Sequence, residues 1–321
     1  MRIAITGVSG YLGGLLLARL DQTPEVEAIV GISRRRPIRD SKKLSFHSMD
    51  INGPIGKVLA EQRVDTVVHA AWQFDPVHDE KAAYKVNIHG TRNVLQACDE
   101  LAIGKIIFPS SLSVYGPYDD NPDLLTEDSP TRGHPDFQYS RDKVEGDALM
   151  QQYQASHPDC CVSIPRIAIV AGPNANNYLA RYVSRSVVFT VRGCDAAFQF
   201  VHEDDTIDVL MKMLLEDQPG VYNIAGDGTI RLSELGRLFG THLIPLPYSM
   251  LYPVTALFWA LRIKAMTETP PSVLDFLRYS YIADCSKAKR ELDFRPKYTS
   301  TQALQSYVEA RRRNGGEQRP G

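Results

Sequence analysis

The chain has 321 residues, of which 43% are hydrophobic and 23% charged, a composition that excludes wholesale disorder and allows a large buried core. The 36 Lys and Arg residues and 38 Asp and Glu residues leave a formal charge of -2, which argues against a nucleic-acid-binding protein. The five cysteines form no CxxC pair, and the N-terminus has no secretory signal pattern, so a reducing, cytoplasmic location is expected. No metal-ligand spacing is present.

The first half of the chain alternates short β-rich runs with helical patterns. Strands are predicted at residues 2–6, 26–32, 44–48, 66–70, 105–109 and 161–170. Helices are predicted at residues 11–20, 55–62, 84–101 and 138–154. This alternation predicts an α/β fold with a doubly wound parallel sheet and helices on both faces.

The second half is less regular, and it suggests a smaller C-terminal domain. We predict an N-terminal domain over residues 1–170 and a mainly separate domain over 171–321. Residues 197–226 are expected to return to the first domain, because 220–226 has the pattern of one more buried strand. The tail from about residue 311 has no apolar anchors, so we expect it to be frayed.

The segment 243–261 is uncharged and nearly long enough to span a bilayer. Pro245, Pro247 and Pro253 interrupt it, and a continuous helix is predicted only from Val254 onward. Two interpretations remain open, a buried helix or cap over an apolar pocket, and a contact with a membrane surface.

A glycine-rich turn follows the first strand. Gly7, Gly10 and Gly13 are each separated by two residues and lead from a strand into a helix. Such a turn bends sharply, lets the backbone approach a pyrophosphate, and packs the helix on the sheet. The helix N-terminus then offers N–H groups and a positive dipole end to the phosphates. This context predicts a nucleotide site.

The residue after the second strand bears on the choice of cofactor. An acidic residue there would bind a ribose 2′-hydroxyl, but the chain has Ser33 followed by Arg34, Arg35 and Arg36. A guanidinium suits a 2′-phosphate, so we predict NADP in preference to NAD. Asp50, just after the third strand, is positioned to bind the adenine amino group or to stabilise an ordinary turn.

Hydroxyl groups follow the fifth strand, and a Tyr-x-x-x-Lys pair begins the next helix. The four-residue spacing places Tyr139 and Lys143 on one helix face, where the ammonium should lower the pKa of the phenol. A phenol of this kind can exchange a proton with an alcohol or ketone, and a serine can hold the same oxygen. The combination serves hydride transfer with a nicotinamide.

These motifs together resemble the extended short-chain dehydrogenase/reductase family, also described as the NAD-dependent epimerase/dehydratase family. The resemblance rests on TGVSGYLGG, SSLSVYG, the Tyr139/Lys143 pair, NIHGT from Asn87, and FVHEDD from Phe200. It implies a Rossmann-type sheet, with a substrate domain at the C-terminus. A homodimer is also common in this family.

By this resemblance Ser111 is the catalytic serine, with Ser110 and Ser113 as rivals, Tyr139 is the acid/base, and Lys143 binds the nicotinamide ribose. The residues expected to contact the cofactor are Gly7, Gly10, Tyr11, Leu12, Gly13, Ser33, Arg34, Asp50, Ile51, Ala70, Ala71, Asn87, Tyr139, Lys143 and Arg166.

The chain departs from the nucleotide-sugar members at several positions. Leu112 and Ser113 stand where dehydratases have an Asp-Glu pair, so the acid for elimination is missing. Ile169 and Phe198 replace polar residues that hold a nucleotide-sugar. A buried diphosphate without its guanidinium would be costly, so the pocket is expected to take something less charged. Phe258 and Trp259 could roof it.

We therefore predict an NAD(P)-dependent oxidoreductase that acts on a hydroxyl or carbonyl of a moderately apolar small molecule, like a steroid, aldehyde or ketone. One alternative is a nucleotide-sugar 4-epimerase with tightly bound NAD. Another is a non-catalytic NADP-sensing protein, against which the intact Ser111, Tyr139 and Lys143 set argues.

Overall fold

The computed structural model describes residues 1–175, 181–182 and 185–316, and its centre is an eight-stranded parallel sheet. Seven strands lie in the order β12-β7-β5-β4-β1-β2-β3, and β6 pairs with β7. The bounds of these strands are β1 Arg2–Thr6, β2 Ala28–Ser33, β3 Leu44–Ser48, β4 Thr66–His69, β5 Lys105–Ile107, β6 Ser110–Ser111, β7 Cys161–Ile167 and β12 Gly220–Ile224. The order reverses between β1 and β4, so this Rossmann-type sheet opens a crevice at their carboxyl ends.

Helices cover both faces of the sheet because most of them present an apolar face to it. Their bounds are α1 Tyr11–Asp21, α2 Ile55–Glu61, α3 Glu80–Tyr84, α4 Gly90–Glu100, α5 Gln138–Ser156 and α6 Glu203–Leu215. A π-helical turn, Lys85–His89, joins α3 to α4. Leucines of α1 and α6 enter one buried cluster, while α2, α4 and α5 contribute to a second cluster. The predicted α/β fold is confirmed.

A smaller set of elements packs beyond the carboxyl edge of the sheet. It comprises β8 Ile169–Ala171, β9 Val187–Val191, β10 Ala197–Phe198, β11 Phe200–His202, β13 Ile230–Arg231, α7 Leu232–Phe239, β14 His242–Leu246, α8 Tyr248–Ala260, a 3-10 helix Pro271–Leu277, α9 Ser286–Glu291 and α10 Ser300–Gly316. Most of these elements share a third buried cluster, in which Phe198, Phe200 and Leu304 take part, while Ala288 of α9 belongs to the first cluster. The strand β12 nevertheless pairs with β7, so the chain returns to the main sheet between these elements.

The C-terminal part differs from expectation at two places. Residues 311–316 continue α10, in which Arg311 donates a hydrogen bond to the hydroxyl of Tyr307, one turn earlier. Residues 317–321 lie outside the described residues. The helix in 243–261 begins at Tyr248, not at Val254, and accommodates Pro253 in its interior.

The helix α8 is neither buried nor a roof over the cavity. Leu251 is its one fully buried residue, and no residue of 243–261 lines the cavity described below. Its neighbour, the 3-10 helix Pro271–Leu277, forms the cavity wall instead. No helix in the described parts of the chain is long and apolar enough to cross a membrane.

Candidate active site

The glycine turn brings β1, α1 and the loop after β4 into close contact. Gly7 has a φ of +72°, and a Cβ there would lie 2.7 Å from the Cα of Ala71. A Cβ on Gly13 would collide with the carbonyl oxygen of Gly7. The first turn of α1 carries no acidic residue. The N-terminus of α1 is therefore held at the crevice, in the arrangement that suits a pyrophosphate.

Two cavities meet beside this turn and share Gly10, Ala70, Trp72 and Gln73 in their walls, so together they form one cleft. The outer half contains most residues expected near the adenosine end of a dinucleotide, namely Gly7, Gly10, Ser33, Arg34, Asp50, Ile51, Ala70 and Ala71. The inner half has a volume of about 420 Å³ and contains Tyr11, Leu12, Gly13, Ser111, Tyr139 and Lys143.

The rim of the outer half carries both charge signs. The hydroxyl of Ser33 donates to the carbonyl of Arg35 over 2.6 Å. Arg34, Arg35 and Arg36 all line this half. Asp50 accepts hydrogen bonds from the backbone and side chain of Asn52, which lower the pKa of its carboxyl group. Asp50 therefore stabilises a turn while it remains exposed to the cleft.

Asn87 and Arg166 do not reach the cleft. Both amide ends of Asn87 are used inside the protein, because Oδ1 accepts from the Gln73 backbone at 2.7 Å and Nδ2 donates to Asp142 at 2.8 Å. The guanidinium of Arg166 is fully buried and forms a two-bond ion pair with Asp147. Neither residue lines the cleft, so the structure gives these two predicted cofactor contacts no support. Asn87 positions the loop after β4, and Arg166 neutralises a buried carboxylate.

Tyr139 and Lys143 lie in the first two turns of α5, with both side chains in the inner half of the cleft. The Nζ of Lys143 donates to the carbonyl of Pro109 at 2.8 Å and lies 3.9 Å from the centre of the Trp72 ring. Burial lowers the pKa of Lys143 to about 7, against the opposing effect of Asp147 and Asp142. A lysine that loses its proton near neutrality is unusual, which makes Lys143 a candidate for a functional role.

The phenol of Tyr139 is also buried, and this overturns one expectation. Burial raises the pKa of Tyr139 to about 12, although the hydroxyls of Ser111 and Ser113 lower it in part. Lys143 is not among the groups that shift this pKa, so the prediction that its ammonium lowers the pKa of Tyr139 was wrong. The effect of desolvation on the pKa of the phenol is therefore larger than the effect of a lysine one helical turn away.

The structure separates the three candidate serines. Ser110 also lines the inner half, but its hydroxyl donates to the buried carboxylate of Asp147 at 2.7 Å and is not among the groups that affect the pKa of Tyr139. Ser111 accepts a hydrogen bond from the Ser113 backbone at 3.2 Å, and both of their hydroxyls approach Tyr139. The Ser113 hydroxyl makes no hydrogen bond of normal geometry. Ser111 and Ser113 both remain candidates.

The rest of the inner cavity is mostly apolar. Ile169 and Phe198, which stand where polar anchors were expected in nucleotide-sugar enzymes, both line it. The aromatic and aliphatic part of the wall includes Leu12, Trp72, Phe74, Leu112, Phe137, Ile167, Ile169, Val170, Phe198, Val273, Phe276, Leu277 and Tyr281. Among the described residues its charged members are Asp75 and Lys143 alone. The wall therefore offers no guanidinium to a diphosphate.

Several wall residues escaped the sequence reasoning. Phe74 lies edge-to-face on Tyr139, with ring centres 5.0 Å apart. Tyr281 lies close enough to Tyr139 for the charge of an ionised Tyr139 to help raise the pKa of Tyr281, after the larger effect of burial. Trp72 spans both halves of the cleft. Its indole Nε1 and the Asp75 Oδ1 are buried without a hydrogen-bond partner among the described residues. The aromatic WQF run directly after the β4 strand was the available signal for Trp72 and Phe74.

Residues 3–225 match the NAD dependent epimerase/dehydratase family, and the chain belongs to this family. An uncharacterized protein of Mycobacterium tuberculosis is 30% identical over 96% of this chain and 84% of its own length. UDP-glucuronic acid decarboxylase 5 of Arabidopsis thaliana is 26% identical over 95% of this chain and 87% of its own length.

Solved structures share the fold across the whole chain. The UDP-glucose 4-epimerase of Thermotoga maritima, with UDP-glucose, matches with a TM-score of 0.76 and 17% identity, over 98% of this chain and 99% of its own. The UDP-glucuronic acid 4-epimerase of Bacillus cereus, in complex with NAD, matches with a TM-score of 0.74 and 20% identity, over 98% and 99% of the two chains. At these identities the likeness establishes the fold alone.

Proposed function

We propose that this protein is an NAD(P)-dependent oxidoreductase that transfers hydride at a hydroxyl or carbonyl carbon of a moderately apolar small molecule, such as a steroid, an aldehyde or a ketone. The observation that carries the proposal is the cavity itself. Ser111, Tyr139 and Lys143 line it together with a mostly apolar set of side chains. The family membership supports a nicotinamide cofactor.

The residues present fit such a cofactor. The glycine turn has no space for side chains at Gly7 and Gly13, and the indole N–H of Trp72 is buried and unpaired where the two halves of the cleft meet. We propose that the α1 N-terminus holds the pyrophosphate, Asp50 and Ile51 the adenine, and Lys143 the nicotinamide ribose. When bound, the nicotinamide supplies or accepts the hydride.

The protein's own groups favour Tyr139 as the proton donor of a reduction. With its pKa raised to about 12 by burial, the phenol keeps its proton at neutral pH. It can give this proton to a carbonyl oxygen as hydride reaches the carbon, and it then regains one from solvent. Ser111 or Ser113 holds the same oxygen by a hydrogen bond.

The preference for NADP stays part of the proposal. Arg34, Arg35 and Arg36 line the outer cleft, no acidic residue follows β2 directly, and Arg36 alone of the three forms an ion pair, with Asp40, among the described residues. A 2′-phosphate would find charge-assisted partners there. The dTDP-glucose 4,6-dehydratase of Bacillus anthracis and the UDP-glucuronic acid 4-epimerase of Bacillus cereus, which share the fold, contain NAD, so this preference requires its own test.

A nucleotide-sugar 4-epimerase is the second candidate, and the fold neighbours with UDP-sugars favour it. The apolar side chains of Phe198 and Ile169 in the wall argue against it. An epimerase should purify with its NAD and interconvert UDP-glucose and UDP-galactose with no added cofactor.

The test supplies the purified chain with NADPH or NADH and, separately, a steroid ketone, an aromatic aldehyde and UDP-glucose. We expect cofactor oxidation with at least one apolar carbonyl and no UDP-hexose interconversion. UDP-hexose interconversion without added cofactor would replace the proposal by the epimerase.

Separate Ser111→Ala and Ser113→Ala variants identify the serine that holds the substrate oxygen. We expect the turnover number to fall by about 10²-fold in one variant and much less in the other, the scale of a lost oxyanion donor. Equal small losses in both variants would remove serine from the chemistry.

A further inference from the structure

The helix α8 exposes a continuous apolar stripe. Met250, Val254, Leu257 and Leu261 follow one another at intervals of four, three and four residues, and their exposed fractions are 54%, 40%, 57% and 60%. This is the spacing of one helix face. An apolar face usually packs against the core, but here Leu251 on another side of α8 does so. The stripe therefore has no partner among the described residues.

The two-stranded sheet beside α8 extends this surface. β9 and β14 pair in parallel, with Phe189 opposite Ile244, and both side chains are about 40% exposed. Parallel strands are normally covered on both faces. Pro247 links the end of β14 to the start of α8, and Arg185 before β9 donates to the carbonyls of Ala265 and Met266 after α8. The helix thus runs back along the sheet.

Basic residues flank the stripe, and Asp275, which accepts a hydrogen bond from Tyr248 of α8, is paired with Arg278. From His242 to Thr267 the chain has no acidic residue, and Arg262 and Lys264 are exposed directly after the stripe. Arg192 is exposed at the end of β9. These three cations form no ion pair with the described residues, whereas the next acid along the chain, Glu268, is held by Arg181 and Arg185.

We propose that the docking face, formed by α8 with the exposed side of β9 and β14, binds the surface of an anionic lipid bilayer. An exposed aliphatic stripe next to unpaired basic residues is the pattern of a helix that lies in a membrane interface. Half-buried Tyr252 and Trp259 supply the amphipathic aromatic groups that favour this depth. The charge complementarity selects lipid over a second, equally basic copy of this face.

The docking face also adjoins the cavity. Trp259 stacks on His78 with ring centres 3.8 Å apart, and His78 belongs to the loop after β4 that carries Phe74 and Asp75. The 3-10 helix against α8 contributes Val273 and Phe276 to the cavity wall. If the proposed function holds, a membrane-soluble substrate would enter beside the bilayer. The docking itself does not depend on that function.

Flotation of the full chain with vesicles tests the proposal without any turnover. The vesicles are phosphatidylcholine alone, or phosphatidylcholine with 30% phosphatidylglycerol. We expect the wild type to float with the anionic vesicles and to release at high salt. The double variant Leu257→Glu/Leu261→Glu should lose binding by at least about tenfold, and Arg262→Glu/Lys264→Glu should lose a similar amount.

Leu215→Glu is the matched control, because Leu215 is 46% exposed at the end of α6, outside the docking face. It should float like the wild type, and equal thermal unfolding of all variants checks the fold. Absence of wild-type binding, or unchanged binding of Leu257→Glu/Leu261→Glu, would overturn the proposal. A dimer in solution that this variant abolishes, without vesicle binding by the wild type, would assign the face to a second copy.

Discussion

The two halves of the cleft are built in different ways. The outer half consists of short segments that directly follow β1, β2, β3 and β4, so most of its wall lies within a few residues of a strand end. The inner half combines α5, β8, Phe198 and residues 273–281, which are far apart along the chain. The first kind of site depends on local backbone geometry, and the second kind depends on tertiary packing.

The largest effect should come from Tyr139, the proposed proton donor in the inner half. Tyr139→Phe should lower turnover by about 10²–10⁴-fold, the scale of a lost general acid, while cofactor affinity stays unchanged. Steady-state rates and a fluorescence titration of the cofactor measure the two effects. Tyr153→Phe on the same helix, outside the cavity, is the control and should remain active. Near-normal turnover of Tyr139→Phe would remove Tyr139 from the chemistry.

A substitution of Arg166 tests whether this buried cation serves stability or cofactor binding. Arg166→Met leaves the fully buried Asp147 without its ion-pair partner and should cost about 3–5 kcal/mol of unfolding free energy. Arg19→Met, which breaks an exposed pair with Asp208, should cost less than about 1 kcal/mol. Urea denaturation measures both. Weaker cofactor binding with unchanged stability in Arg166→Met would return Arg166 to the cofactor site.

The outer half can be tested through its charge. Ser33→Asp should weaken NADP binding by about ten- to a hundredfold, because a carboxylate replaces a neutral group where the 2′-phosphate is expected. The affinity for NAD, which lacks that phosphate, should change less and serves as the internal control. Titration of both cofactors against both proteins decides the matter. Tighter binding of NAD than NADP by the wild type would mean that the arginines contribute no selectivity.

Lys143 should make stability depend on pH. Its pKa is about 7 in the folded protein and 10.5 in the reference state, so between these values the unfolded chain binds more protons. The free energy of unfolding should therefore rise with pH above 7, by up to about 1.4 kcal/mol per pH unit. Denaturation at pH 7, 8 and 9 should show this slope reduced in Lys143→Met and retained in Lys57→Met, an exposed control. Equal slopes in all three proteins would contradict the burial argument.

The division between local geometry and tertiary packing also separates what the sequence could predict from what it could not. The alternation of strands and helices, the glycine turn and the Tyr139/Lys143 spacing are local patterns, and the structure has each of them. The contacts of Phe276 and Tyr281 with the rings of Phe137 and Tyr139 need segments about 140 residues apart to pack together, which no local pattern shows. The pKa of Tyr139 depends on total burial, so the spacing alone gave the wrong sign.

Isotope transfer tests the central claim most directly. The wild-type protein is incubated with NADPH deuterated at the transferable position and with an apolar ketone, and the alcohol is analysed by mass spectrometry. We predict one deuterium at the carbinol carbon, with the yield lowered by about 10²-fold or more in Tyr139→Phe. An alcohol without deuterium, or no alcohol from any apolar carbonyl while UDP-glucose is converted to UDP-galactose, would contradict the account.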